Sequence, residues 1–315
     1  MKRRYFILPA LLLMLFSACG DDENNYQIGG KKGEDTPVQP DDRQSEGPEI
    51  AKYNLEFPAL KGGKSVVVVH YGVYNDRLNK SGYNYAVEWD SEIRAQRWSC
   101  YQMYEDNYKS GAQVTRYNAK NDGSLSPECQ YPNDPDLPES YRLTADPYKG
   151  SGFDHGHICP SADRQRAVEA NYQTFYITNM QPQNNKFNAG IWADMENQVR
   201  TWANNFDTLY VCKGGTIDKS DWILRYLGSG NNKIPVPKYF FMAVLGKKGS
   251  NFKATGFWIA QDSYTATTLQ SYAVTIQALQ KNTGIDLFCN LPDDIENEVE
   301  NIPLSQMEKE WTWFK

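Results

Sequence analysis

Residues 152–200 read GFDHGHICPSADRQRAVEANYQTFYITNMQPQNNKFNAGIWADMENQVR, and this stretch decides the fold. It holds two of the chain's three histidines, in Asp154-His155-Gly156-His157; the third is His70. Downstream come Thr178-Asn179-Met180-Gln181-Pro182-Gln183, then Asn188-Ala189-Gly190-Ile191-Trp192, then Glu196 and Arg200. Ile191, Met195, Val199 and Trp202 recur at spacings of four, four and three. That period predicts a helix over 190–206 with one buried face. Trp192, Glu196 and Arg200 share a second face, so Glu196 and Arg200 are expected to point together into a cleft. Asn188 precedes Glu196 by eight residues, a rise of roughly 12 Å if both were helical. One cation would not reach both. Asn188 is therefore expected in the loop entering the helix, folded back.

Outward from this stretch, the β-branched run Val66–Tyr71 predicts a strand. Residues 118–148, rich in Asn, Asp, Pro and Gly, predict a long loop approaching the site. Thr174–Thr178 reads as a buried strand, and Thr208–Cys212, Tyr239–Leu245 and Thr255–Ala260 as further strands. Thr267–Gln280 reads as a second helix. Together these predict a mixed α+β domain around a central sheet.

The inventory suits hydrolysis of a phosphodiester, which requires a base to deprotonate water, a divalent cation on the phosphate and a proton source for the leaving oxygen. A histidine titrates near neutrality and fits the first task. An Asn amide oxygen with a nearby carboxylate fits a hard cation such as Mg²⁺, which keeps several waters. Cationic side chains stabilise charge on the phosphate. Each residue also has a plainer reading. Asp154 can bond backbone at a turn. His155 can be a surface imidazole and Asn188 a helix N-cap. Glu196 can pair with Arg200 at i,i+4. His70 reads as structural or exposed. Cys159, two residues from His157, reads as a packed small residue rather than a nucleophile.

These motifs, in this order, resemble the non-specific DNA/RNA endonucleases of the ββα-metal (His-Me finger) type. The clear match spans 152–200, with weaker similarity from Lys52 to the C-terminus. The resemblance implies a ββα-metal core on a central, mainly antiparallel sheet flanked by helices. It implies an endonuclease dependent on Mg²⁺, or on Mn²⁺ or another divalent cation, that cleaves DNA and RNA with little sequence preference. By residue, it implies His157 as general base and Asn188 as the direct metal ligand. Glu196 would hold metal-bound water near the leaving oxygen, and Asn179 would orient groups beside His157. Arg200 would contact phosphate or fix Glu196. The family also uses an upstream arginine, for which Arg116 is the candidate. One position departs from the pattern: His155 stands where the family usually has a phosphate-stabilising arginine. A catalytically weakened nuclease fold that binds nucleic acid or a partner at the cell surface is therefore the competing reading. A His-x-His zinc site ranks last, because further His or Cys ligands are missing.

The ends of the chain concern location. Lys2, Arg3 and Arg4 precede an apolar run, Tyr5–Phe16, too short for a comfortable membrane span. Ser17-Ala18-Cys19 resembles a bacterial lipobox, although Phe16 stands where the usual motif has Leu. Residues 1–19 are expected to be a lipoprotein signal peptide with Cys19 lipidated, an ordinary signal peptide being the alternative. Residues 20–50 are expected to be a disordered acidic tether, and 51–315 the nuclease domain. The protein would then be exported and lipid-anchored to the outer membrane, periplasmic or at the cell surface. Five cysteines remain beyond Cys19, an odd number that leaves at least one thiol free or paired between chains; Cys100 and Cys129 are candidates for a disulfide. The net charge of −6 is concentrated in 20–50 and in the acidic stretch 286–300. It neither supports nor excludes a phosphate-bearing substrate, for which only a local basic cleft matters.

Overall fold

Strand Tyr239–Lys248 sets the architecture. Phe240, Met242 and Val244 pack into one buried cluster while Phe241, Ala243 and Leu245 pack into another. Side chains alternate across a strand, so an unbroken apolar run means a sheet covered on both faces. In the computed structural model, which describes residues 47–121, 129–265 and 268–312, that sheet has seven strands. They are β1 (Ser65–Asn75), β2 (Lys80–Asp90), β3 (Ala95–Tyr104), β6 (Thr208–Gly215), β9 (Tyr239–Lys248), β10 (Asn251–Ala260) and β11 (Ala273–Val274), adjacent in that order. Every pairing among them is antiparallel. Two separate two-stranded sheets, β4 (Asp154–His157) with β5 (Met180–Gln183) and the hairpin β7 (Ile223–Leu227) with β8 (Ile234–Pro237), are also antiparallel.

The helices are α1 (Val168–Gln173), the single turn α2 (Asn185–Phe187), α3 (Ala193–Ala203), α4 (Ile276–Thr283), α5 (Asp293–Glu300) and α6 (Leu304–Glu310). On one face of the sheet Met195, Val199 and Trp202 of α3 meet Tyr101, Met103, Leu209 and Val211. On the other, Ile276 and Leu279 of α4 and Val299 of α5 meet Trp98, Cys100, Cys212 and Ala254. Among the described residues no helix is long and apolar enough to cross a membrane.

The expected strands at 66–71, 208–212, 239–245 and 255–260 all form, each lengthened. Three expectations need correction. Thr174–Thr178 is buried but is not a strand: it turns into a 3₁₀ segment at Ile177–Asn179. There the Thr174 carbonyl accepts from Asn179 Nδ2 at 2.8 Å and the Ile177 amide bonds Pro132, so side-chain and loop partners replace a ladder. The helix expected over 190–206 starts regularly only at Ala193, because Gly190 (φ −110°, ψ −115°) interrupts a π-helical entry at Asn188–Trp192. Of the helix expected over Thr267–Gln280, Thr267 lies outside the described residues and the rest divides into a 3₁₀ turn, β11 and α4; Thr275 caps α4, accepting from the Ala278 amide at 3.2 Å, and left-handed Gly284 ends it.

Of the terminal segments, Cys19 and residues 20–46 lie outside the described residues. Glu49–Lys52 forms a 3₁₀ turn whose Ala51 carbonyl accepts from Asn290 at 2.8 Å, so the folded domain already includes the last residues of the expected tether. Cys100 and Cys129 are both free: Cys100 is buried in β3 directly opposite Cys212, and Cys129 is exposed.

Candidate active site

β4 and β5 pair His157 with Met180 and Asp154 with Gln183, and α3 follows: a strand–strand–helix unit. The β4–β5 pair is tied to the large sheet by Gln181, which donates to the carbonyls of Gln96 at 2.9 Å and Gly215 at 3.1 Å and accepts from the Gly215 amide. Gly156 is required between the two histidines, since a Cβ there would lie 2.3 Å from the Gln183 side chain.

A cavity of about 410 Å³ opens over this unit, lined by Arg116, Asp154, His155, His157, Asn188 and Glu196 among others. Five of the seven catalytic, metal and phosphate candidates read from the sequence, Arg116, His155, His157, Asn188 and Glu196, therefore converge. Nε2 of His157 is buried with no hydrogen-bond partner. Burial first, and then the Arg116 charge, hold its imidazole well below the usual histidine range, while a bond to the His155 backbone engages the ring's other side. This is a neutral histidine with a lone pair on Nε2, the form a general base needs.

Asn188, expected in a loop before the helix, is instead the first residue of the π-helical entry to α3. It is not an N-cap: its backbone is already helical. Its Nδ2 donates to Asp154 Oδ2 at 3.0 Å, beside a second bond from Asn185 at 3.0 Å. Asp154 thus grips side-chain amides rather than backbone, and it fixes the Asn188 amide so that Oδ1, a hard oxygen donor, is left for a cation. Glu196 is not paired with Arg200. Its Oε1 accepts from Lys213 Nζ at 2.5 Å, and Lys213, on β6, is fully buried with Nζ 4.9 Å over the Trp192 ring. Burial raises the Glu196 carboxyl above its ordinary range and Lys213 opposes that shift. An oxygen-rich pair of this kind, with room for water, fits a hard divalent cation.

The remaining residues divide. Arg116 reaches the cavity, its guanidinium 4.8 Å over Phe175, and pairs with no carboxylate among the described residues. Arg200 does not line the cavity; it bonds buried Asp163 at 2.8 Å and Asn197 at 2.7 Å. Asn179 is fully buried and bonds the backbone of Cys159 on both sides, at 2.8 Å each, so it clamps the chain just past His157. His155 lies between the rings of Tyr131 (3.8 Å) and Tyr148 (4.1 Å), with Nε2 3.1 Å from Asp146. It is neither a bare surface imidazole nor half of a zinc pair: among the described residues no metal-ligating trio includes His155 or His157. His70 is fully buried within β1, 3.2 Å from Asp134, which excludes the exposed reading.

Lys213, Asp163, Asp146, Tyr131 and Tyr148 were not singled out from sequence. Lys213 left the clearest trace, as a lone cation inside the buried run TLYVCKGG; a buried ammonium needs a carboxylate partner.

Comparison with known proteins agrees with this geometry. The family model for DNA/RNA non-specific endonuclease matches residues 62–294. Nuclease C1 of Cunninghamella echinulata var. echinulata is 30% identical over 229 residues, covering 70% of this chain and 85% of that protein. Mitochondrial endonuclease G of Bos taurus is 25% identical over 241 residues, covering 72% and 74%. In the solved structures, a chain of the EndoG/EndoGI complex superposes with a TM-score of 0.56 at 20% identity, over 68% of this chain and 86% of that one, a likeness of fold. With three quarters of its length matched and the strand–strand–helix unit in place, the chain belongs to the DNA/RNA non-specific endonuclease family and is a metal-dependent nuclease acting on nucleic acid.

Proposed function

We propose that His157 is the general base of the endonuclease, Asn188 the direct ligand of a Mg²⁺ ion and Glu196 the carboxylate that faces that ion's hydration shell. The observation carrying this reading is the single cavity that gathers a neutral, unpaired His157 Nε2, the oriented Asn188 amide and Glu196. When bound, the cation would supply charge to stabilise the phosphate and to make the leaving oxygen easier to protonate. His157 Nε2 removes the proton from the attacking water. Arg116, which lines the cavity and pairs with no carboxylate among the described residues, offers cationic charge for a non-bridging phosphate oxygen. Asp154 holds the Asn188 amide and Lys213 holds Glu196. Asn179 and Arg200 position the site through Cys159 and Asp163. Mg²⁺ is favoured over zinc because the donors are oxygens, and Mn²⁺ would be accepted by the same set.

His155 would contact phosphate only by leaving Asp146, so the phosphate side rests first on Arg116. The binding-only reading, raised by His155 in place of arginine, is not favoured, since the family and the relatives are nucleases and one cavity gathers candidates for the base and the metal donors. Export as a lipoprotein anchored at Cys19 to the outer membrane, facing periplasm or medium, is proposed from the first nineteen residues of sequence alone. It fits a nuclease that reads backbone rather than bases and would endanger DNA inside the cell.

Plasmid DNA and RNA incubated with the purified protein in Mg²⁺ or in EDTA, beside Asn188→Ala, test the enzyme. Cleavage that needs metal and is lost in the variant is expected. Undiminished cleavage by Asn188→Ala would remove this residue from the metal site. Membrane fractionation of Cys19→Ser tests the anchor, with release into the soluble fraction expected.

A further inference from the structure

Resting on that reading of the cavity, we propose that the β7–β8 hairpin is a nucleic-acid-binding wall, with Arg225 taking a backbone phosphate flanking the scissile one and Tyr226 stacking a base. The hairpin belongs to neither half of the strand–strand–helix unit and pairs with no strand of the large sheet. Two strands alone are marginal in water, yet this pair is firmly held. Leu227, Ile234 and Val236 pack with Tyr148, one of the two rings enclosing His155. Asn232, between the strands, accepts from the amides of Thr144 at 2.7 Å and Ala145 at 3.0 Å. Whatever the hairpin displays is therefore fixed relative to the catalytic cavity.

It displays cations laid on rings. The Arg225 guanidinium lies 4.7 Å over Phe153, and Phe153 lines the catalytic cavity. Arg225 donates to the Ser151 carbonyl at 2.8 Å. That leaves most of its five N–H donors unspent. Lys233 places its ammonium 4.2 Å over the Tyr226 ring, and that ring is 50% exposed. Both cations are exposed, and among the described residues no carboxylate pairs with either. In a chain with a net charge of −6, Arg225 brings an unpaired cation to the rim of the cavity through Phe153, and Lys233 adds a second on the same hairpin. Aromatic faces that stack bases, next to cations that take phosphates, are how proteins hold single strands with little sequence preference. The occupant that matches this charge and these ring faces is the substrate strand running past the cavity.

Fluorescence anisotropy of a labelled single-stranded 12-mer, as DNA and as RNA, measured in EDTA across a salt series, tests the wall without cleavage. Arg225→Glu is expected to weaken binding about tenfold or more and to flatten the slope of log affinity against log salt by about 0.7. Arg225→Lys should restore the slope, which a folding defect would not allow. Tyr226→Ala should weaken binding at least about fivefold, equally for DNA and RNA. Unchanged affinity and slope in both Arg225→Glu and Lys233→Glu would overturn the proposal. Binding that depends on Arg225 in a protein unable to cleave with Mg²⁺ would instead overturn the hydrolytic reading and leave the wall standing.

Discussion

His157 and His155 stand two residues apart on β4 and are used in opposite ways. His157 is stripped of hydrogen-bond partners at Nε2 and kept neutral by burial and by Arg116. Because its folded pKa is lowered, the neutral base persists as pH falls through 6.5, where an ordinary histidine would be half protonated. The acid limb of cleavage rate against pH is therefore expected below 6.5. His157→Ala should lose about a hundredfold to ten-thousandfold in rate with its melting temperature nearly unchanged; an acid limb centred above 6.5 would contradict the burial argument. His155 is fully engaged instead, stacked between two tyrosines and bonded to Asp146. A guanidinium is also planar, stacks on rings and pairs with a carboxylate. His155→Arg should therefore fit the same slot. It is expected to keep the wild-type melting temperature and to raise kcat/KM at least about tenfold, the phosphate-side contribution of one added donor. A stable variant with no gain would mean that position 155 does not face the phosphate.

At the scale of elements, the site depends on α3 and β6 meeting through Glu196 and Lys213. Neither charge is tolerable alone in the interior. Lys213→Met should therefore destabilise the fold by about 3–5 kcal/mol, as expected when one partner of a buried pair is removed. The double variant Lys213→Met with Glu196→Gln should recover much of that stability in urea unfolding while remaining inactive, because the carboxylate is gone. A double variant no more stable than the single one would show that the pair is not what joins the two elements. The same contact marks the limit of what the sequence could tell. His157, Asn188 and Glu196 could be grouped from sequence because they lie in short ordered motifs with a helical period between them, although Asn188, expected in a loop, is helical and opens the irregular entry to α3. Lys213, Asp163 and Asp146 were not, because each acquires its role from a partner brought close only by folding. Strand β2 was missed for a related reason. Its sequence KSGYNYAVEWD carries Asn84, Glu88 and Asp90, which look like surface residues but are buried on partners from other segments. Conversely, Thr174–Thr178 looked like a strand because β-branched and aromatic propensity is local, whereas the Asn179 side-chain bonds that turn it are not.

For the molecule as a whole, the loop before β4 must be held against the sheet, since it carries Tyr131, Asp146 and Tyr148 to His155. One fastening is His70 on the edge strand β1, fully buried, with Nε2 3.2 Å from Asp134 and Nδ1 3.5 Å from Asp136. Asp134 also accepts from Thr178 Oγ1 at 2.5 Å, so β1, the loop and the segment leading to Asn179 meet at one carboxylate. Burial by itself works against a charged imidazole, but the two carboxylates outweigh it and lift His70 to about 9. The folded pKa therefore lies above the unfolded value of about 6.5. Stability from the pair is fully present below pH 6.5 and is lost as pH climbs through 9. A thermal-denaturation series should show the wild-type melting temperature falling by several degrees between pH 6.5 and 9.5. His70→Gln, which keeps a polar side chain but cannot titrate, should start lower and stay nearly flat across the same window. A wild-type curve as flat as that of the variant would mean that the charge on His70 does not fasten the loop, and that packing against Tyr85 and Tyr176, at 4.4 and 5.3 Å, holds it instead.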